Sequence, residues 1–218
     1  MLDLFYDGDA PNAFFDDTLI LRCSDHGEMG MSHGGMRQKA FNVYEETLRV
    51  PMIWANPDWF DEPQETSALM SLVDVLPTLV NKVLNPKDVP LDVRQGFAGV
   101  DMSPAFDHPK NEPQKEVLFT FDDIRASSAK QEEVVKAPDR IRCVRTAEYK
   151  YAEYFSAEST YAPEYELYDL LNPGPDGLEY HNLYYDADGK VNTSGDIPEI
   201  IAKMRLKLHS LMEEKLYS

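Results

Sequence analysis

Thr18-Leu19-Ile20-Leu21-Arg22-Cys23-Ser24-Asp25-His26-Gly27-Glu28 sets a short apolar run against a polar end, with Asp16-Asp17 just ahead of it. A run of this length bounded by polar residues reads as a buried strand that ends in a loop. In an open α/β sheet the carboxyl ends of the strands face the ligand crevice, so Asp25 and His26 stand where a cation or a substrate would be met. A carboxylate is a hard oxygen ligand suited to calcium or magnesium, and imidazole extends the range towards manganese and zinc. From the pair alone a solvent-facing turn is the preferred reading, because adjacent acidic and histidine residues after a strand are common.

Outward from that stretch, residues 28–47 are rich in Gly, Met and charge without a steady period, and they contain His33, Arg37 and Lys39. Donors beside a metal are what an oxyanion such as sulfate or phosphate requires, because charge on its oxygens must be stabilised. The plain alternative is that Arg37 and Lys39 offset neighbouring acids on a solvated face. Val50-Pro51-Met52-Ile53-Trp54-Ala55 gives a second strand with Pro51 near its start, where a missing N–H is tolerated. Leu69, Leu72, Val73, Leu76, Val80, Val83 and Leu84 recur at helical spacing. Pro77 places the start of that helix near Asp74, which is expected to cap it. Prolines and glycines between residues 85 and 113 predict loops leading to a boundary near residues 107–115.

Beyond the boundary, Val117-Leu118-Phe119-Thr120-Phe121 is a strand, residues 140–155 form a strand pair joined around Thr146-Ala147-Glu148, and Glu166-Leu167-Tyr168-Asp169-Leu170 is another short strand before Asn172-Pro173-Gly174-Pro175. Residues 198–217 place Ile200, Ile201, Met204, Leu208, Leu211, Met212 and Leu216 on one helical face. Together these predict an α+β arrangement, antiparallel strands with a terminal helix lying on them.

The 218 residues include 21 Lys+Arg against 39 Asp+Glu, a net charge of −18. Nucleic-acid and anionic-membrane binding rest on clustered cations, so both are excluded as main roles. No run approaches the roughly 20 apolar residues of a membrane span. Residues 1–21 carry acids and no Lys or Arg, which is no signal-peptide pattern, and the compartment stays open. Cys23 and Cys143 form neither a disulfide framework nor a Cys-x-x-Cys pair. Trp54 and Trp59 read as edges of the core, Tyr149, Tyr151, Tyr154 and Tyr161 as sheet packing, and Asn192-Thr193-Ser194 as a loop that happens to fit a glycosylation sequon.

Ser24-Asp25-His26-Gly27-Glu28, His33-Gly34, Lys39 and Tyr44-Glu45-Glu46-Thr47-Leu48-Arg49-Val50-Pro51-Met52-Ile53 closely resemble, in order, the carboxyl-terminal half of the formylglycine-dependent sulfatases of the alkaline-phosphatase-like superfamily. Ser71-Leu72-Val73-Asp74-Val75-Leu76-Pro77-Thr78-Leu79, Gly99-Val100-Asp101-Met102-Ser103-Pro104, Arg145-Thr146 with Tyr149-Lys150-Tyr151, and Glu166-Leu167-Tyr168-Asp169-Leu170 with Asn182-Leu183 continue the likeness, which covers nearly the whole chain from Asp16 onward. The resemblance implies the carboxyl-terminal part of the α/β sulfatase domain over residues 1–106 and an α+β subdomain over residues 107–218. It makes Asp25 and His26 two ligands of a divalent cation, calcium in most of the family, and Lys39 a contact to sulfate or to the nucleophile's oxygen. His33 is a further polar candidate. Lys39 stands one position later than in the commoner pattern, with Arg37 close by, so either cation is a candidate for the anion.

The family's nucleophile is a formylglycine made within Cys/Ser-x-Pro-x-Arg. Cys23 is followed by Ser-Asp-His and Cys143 by Val-Arg-Thr, and no serine lies in such a motif either. The resemblance therefore implies a sulfatase portion whose nucleophile and remaining metal ligands come from an amino-terminal half, with the chain alone inactive and a sulfated small molecule or glycan as substrate of the whole enzyme. A phosphonate or phosphodiester hydrolase of the same superfamily and a non-catalytic module retaining the fold segment are the competing expectations.

Overall fold

The computed structural model describes residues 6–7, 10–11, 13–39, 41–84, 86–122, 139–156, 162–174, 177 and 179–216. Of the segments read above, Asn85, Tyr161, Pro175 and Tyr217 lie outside the described residues. The chain divides into two compact units, one of Met1–Glu28 with Glu46–Pro113 and one of Met29–Glu45 with Gln114–Ser218. Residues 29–45, expected to stay with the first part, group with the later one. None of the described helices is long and apolar enough to cross a membrane.

In the first unit, strands β1 (Tyr6–Asp7) and β2 (Ala10–Pro11) pair antiparallel ahead of a one-turn helix α1 (Ala13–Asp16). Strand β3 (Ile20–Cys23) then pairs antiparallel with β4 (Met52–Ala55), Ile20 opposite Ala55 and Cys23 opposite Met52. The Asn56 side-chain amide donates to the carbonyls of Asp16 and Thr18, both at 3.1 Å, and fastens the entry to β3. The expected buried strand is corrected here: Ile20 and Leu21 are half-buried while Arg22 and Cys23 are exposed. A two-stranded ladder has too little apolar surface of its own to cover both faces.

Helix α4 (Val75–Lys82) follows a 3₁₀ turn, Leu72–Asp74, and Asp74 needs a second correction. It occupies the residue before the helix, yet its carboxylate accepts the Ser71 N–H at 2.7 Å and the Val100 N–H at 2.7 Å instead of capping α4. Thr78 completes the latch, donating to the Asp74 carbonyl at 2.6 Å and accepting the Met102 N–H at 2.9 Å. Gly99 fits because a Cβ there would lie 2.1 Å from the Val73 carbonyl oxygen. These polar hooks choose which side of α4 is buried: Pro77, Thr78 and Val80 are inside, while Leu72, Val73, Leu76, Val83 and Leu84, read from spacing as the core face, are exposed. Short helices α5 (Leu91–Gln95) and α6 (Ser103–Asp107) punctuate the expected loops. Trp54 packs against Phe106 at 5.1 Å between ring centres, the core-edge place read for it.

The second unit is an antiparallel sheet in the order β5 (Glu116–Asp122), β6 (Arg140–Thr146), β7 (Tyr149–Phe155) and β8 (Glu164–Asp169). Helix α7 (Ile197–Leu216) lies on β5, β6 and β7, the α+β arrangement expected. Its Met204, Leu208 and Leu211 meet Val144, Tyr151, Leu167 and Tyr184 in the core. Tyr151 and Tyr154 are buried, as sheet packing demands. Thr146 turns the β6–β7 hairpin by accepting the N–H groups of Glu148 and Tyr149.

Candidate functional site

The Asp-His pair sits in the first unit, immediately after β3. Ser24 Oγ donates to the His26 carbonyl at 2.7 Å, and the His26 N–H donates to Asp25 Oδ1 at 3.0 Å. Gly27 donates to the Thr47 carbonyl at 2.8 Å, and a Cβ on it would stand 2.0 Å from the Glu46 carbonyl oxygen, so the loop closes only on glycine. His26 Nδ1 lies 2.7 Å from the Gly27 carbonyl oxygen. A carbonyl only accepts, so Nδ1 carries a proton, and Nε2 is the ring nitrogen left to face Asp25. That nitrogen is 3.5 Å from Asp25 Oδ2. A nitrogen and a carboxylate oxygen this close are held together by a proton or a cation between them. A backbone carbonyl taking the other ring proton is the usual support of a metal-binding histidine. The Asp25 side chain is 85% exposed, open to a ligand. Among the described residues no three His, Cys, Asp or Glu side chains converge on one point, so the pair supplies two donors towards the roughly six to eight that calcium takes.

His33, Arg37 and Lys39 belong to the second unit. One turn, α2 (Ser32–Gly35), carries His33 at φ 49° and Gly34 at φ 81°, both left-handed. The His33 imidazole is stacked between Tyr44, at 3.8 Å between centroids, and Tyr180, at 4.4 Å, with planes within 14° and 11°. Its backbone N–H donates to the Tyr180 hydroxyl at 3.2 Å. Arg37 and Lys39 are both exposed.

Sequence reasoning missed a buried network of charges among the described residues. Lys150 on β7 is fully buried, 2.7 Å from Glu45 Oε1 and 2.6 Å from Glu179 Oε1, and it donates to the Val43 carbonyl at 2.7 Å. Glu45 is the first residue of a short helix, α3 (Glu45–Leu48). Arg145 forks onto both Glu45 oxygens at 3.2 and 3.3 Å, and the Glu45 N–H donates to Glu179 Oε2 at 2.6 Å. Burial pulls the Glu45 carboxyl up, but Lys150 and Arg145 outweigh it and hold the group below the ordinary carboxylate range. Burial wins at Glu179, which is raised despite Lys150. Glu166 on β8 is pushed up to about 7 by burial, against the hydrogen bond it accepts from the Tyr154 hydroxyl at 2.8 Å. Burial likewise pushes the Cys143 thiol up to about 12. The signal available in the sequence was the set of charged residues inside the motifs quoted above, Glu45, Arg145 and Lys150, to which no chemistry had been given.

Residues 33–214 match the family model described as N-sulphoglucosamine sulphohydrolase, C-terminal. Arylsulfatase K of Homo sapiens is 25% identical over 202 residues, which is 89% of this chain and 31% of that protein. Delta 4,5-hexuronate-2-O-sulfatase of Bacteroides thetaiotaomicron is 29% identical over 161 residues, 72% of this chain and 29% of that one. A solved structure in complex with its substrate D-glucosamine-2-N,6-O-disulfate superposes with a TM-score of 0.67 at 21% identity, covering 92% of this chain and 35% of the other. The phosphonate monoester hydrolase of Agrobacterium radiobacter gives a TM-score of 0.67 at 23% identity over 92% of this chain and 36% of that one. Both structural likenesses are statements about fold. The chain spans about a third of the length of the curated relatives it matches. On the family match the chain belongs to the sulfatases of the alkaline-phosphatase-like superfamily, as the C-terminal portion of such a protein.

Proposed function

We propose that this chain is the carboxyl-terminal part of a sulfate-ester hydrolase, cleaving R-O-SO3⁻ to R-OH and sulfate, and that alone it is inactive. The observation that carries the reading is the His26 ring, whose Nδ1 is turned onto the Gly27 carbonyl so that Nε2 and Asp25 Oδ2 face each other at 3.5 Å. Asp25 and His26 would hold a divalent cation, with calcium the first candidate from the resemblance. Such a cation, when bound, offsets negative charge on the sulfate oxygens as the ester bond breaks. Gly27 and Ser24 fix the loop that presents the pair, and Arg37 and Lys39 are the candidate contacts to a sulfate oxygen that the resemblance implies. The nucleophile, a formylglycine, and the remaining ligands would come from an amino-terminal partner segment. The exposed apolar residues Leu72, Val73, Leu76, Val83 and Leu84 give that segment a surface to cover. A sulfated sugar is the favoured substrate, because a relative is named for a hexuronate sulfate and one structural neighbour holds a disulfated glucosamine.

The test joins this chain behind an amino-terminal sulfatase segment carrying a matured Cys/Ser-x-Pro-x-Arg motif and measures release of sulfate from an aryl sulfate and from a sulfated glucosamine. D25A and H26A are each expected to lower the rate by roughly tenfold to a hundredfold or more, with restoration by added calcium in proportion to residual affinity. Unchanged rates in both variants refute the metal assignment. Faster turnover of a phosphonate monoester than of any sulfate ester replaces this reading with the second one, which the likeness to phosphonate monoester hydrolases favours.

A further inference from the structure

We infer that the buried Lys150 ion network is the positioning device for His33, tying the Tyr44-Glu45 and Glu179-Tyr180 pairs together so that their two rings close on the two faces of the imidazole. The same two dipeptides supply both halves of the arrangement. Their acids, Glu45 and Glu179, meet at the Lys150 ammonium at 2.7 and 2.6 Å, and their tyrosines meet at His33 at 3.8 and 4.4 Å. Consecutive Cα atoms are about 3.8 Å apart, so fixing the two acids fixes the spacing of the neighbouring rings to within the freedom of a side chain.

The charges of the network balance, the Glu45 and Glu179 carboxylates against Arg145 and Lys150 of the sheet, so removing Lys150 leaves two buried acids and one guanidinium. Buried carboxylates left without their cation separate or take up water, and Tyr44 and Tyr180, which lie outside the strands and helices, are expected to move with them. Backbone geometry points the same way. His33 at φ 49° and Glu179 at φ 61° are non-glycine residues in the left-handed region, a conformation that persists only where the surroundings enforce it. At Glu179 the enforcing contacts are the Lys150 ion pair and the Glu45 N–H, and at His33 the stacked rings of Tyr44 and Tyr180. Val43, whose carbonyl Lys150 also takes, lies in the same 29–45 segment as Arg37 and Lys39. Any bearing on sulfate-ester hydrolysis rests on the function proposed above; the geometric statement does not.

The test therefore uses neither substrate nor cation. In the full 218-residue chain, carbon-proton spectra of the five histidine rings are recorded, with H33N identifying the His33 signal. Ring currents from two parallel tyrosine faces are expected to displace the His33 ring protons upfield of the other histidines. E179Q keeps an oxygen for the Glu45 N–H but removes the charge, and K150M removes the cation. Both are expected to lose the upfield displacement while amide signals of β6, β7 and α7 stay in place, and Y180F is expected to keep it. Where K150M fails to fold, E179Q decides. An unshifted His33 signal in the parent chain overturns the inference, as does retention of the shift in E179Q. Loss of the shift together with the sheet and helix signals also overturns it, because the network would then hold the sheet and not the ring.

Discussion

Replacing Glu166 by Gln should make the second unit more stable at neutral and alkaline pH and leave it little changed in acid. Burial raises the Glu166 carboxyl from its ordinary 4.5 to about 7, the Tyr154 hydrogen bond only partly offsetting it. The sign follows from linkage: with a raised folded value, the native state holds the proton more tightly than the unfolded chain. The contribution of this group is complete below about pH 4.5 and is lost as pH rises towards 7. The gap of about 2.5 between the two values corresponds to ~3 kcal/mol, an upper figure because the side chain is not wholly enclosed. Gln does not titrate and can still accept the Tyr154 hydroxyl, so E166Q escapes that loss. Denaturant unfolding followed by circular dichroism at pH 5, 6, 7 and 8 should therefore show the stability difference, variant over parent, growing by about 2–3 kcal/mol across the series. Glu45, held below the ordinary range, contributes stability that is lost as pH falls, but it is present in both proteins and cancels in the difference. Parallel pH profiles for the two proteins would refute the burial argument, and so would a variant less stable at pH 8 than at pH 5 relative to the parent.

Three further outcomes are expected. G27A forces a Cβ to 2.0 Å from the Glu46 carbonyl oxygen, so the chain must move there; hydrogen exchange at residue 27 should accelerate with the break from Thr47, at a stability loss of about 1–3 kcal/mol, and an unchanged exchange rate refutes the close approach. L76E with V83E places charge on two exposed apolar positions of the first unit, which should lower binding of a hydrophobic dye with the melting temperature unchanged within a degree or two; a drop of many degrees would mean that those positions are core. Titration of the native chain with a disulfide reagent at pH 8 should modify Cys23 quickly and spare Cys143, whose thiol is buried and raised to about 12; rapid reaction of both thiols refutes that burial.

The second unit was largely legible because its signals are local. Residues 140–155 alternate around a short turn, and the apolar face of α7 recurs over five turns, so each element declares itself within its own span. The α4 segment misled for a specific reason. Its apolar spacing is real, but Asp74 and Thr78 tie the helix to the backbone at Val100 and Met102, and those hydrogen bonds decide the buried side. Periodicity counts apolar residues and has no access to a polar residue that is buried because it is fully bonded. The β3 strand erred in the same direction, since an apolar run reports what a strand could bury, and its two-stranded ladder buries only half of it.

The candidate site divides along the same line between local and distant. Asp25 and His26 are neighbours in sequence, so their chemistry could be read together. The network around Lys150 joins Glu45 to residues 100 and 134 positions away, and a lysine between two tyrosines in a strand reads as a solvent-facing residue. Yet a chain with a net charge of −18 places constraints of its own on where its cations go. Arg145 and Lys150 are consumed by Glu45 and Glu179, which makes them unavailable to an anionic ligand at no cost in local balance. On the function proposed above, the first source of the positive focus that a sulfate would need is a cation held at Asp25 and His26, and Arg37 and Lys39 are separate candidates to be tested one by one. If K39A and R37A left sulfate-ester turnover of the joined enzyme unchanged while D25A abolished it, the focus would reside in the metal alone, and the basic residues of the 29–45 segment would be surface compensation for the acids around them.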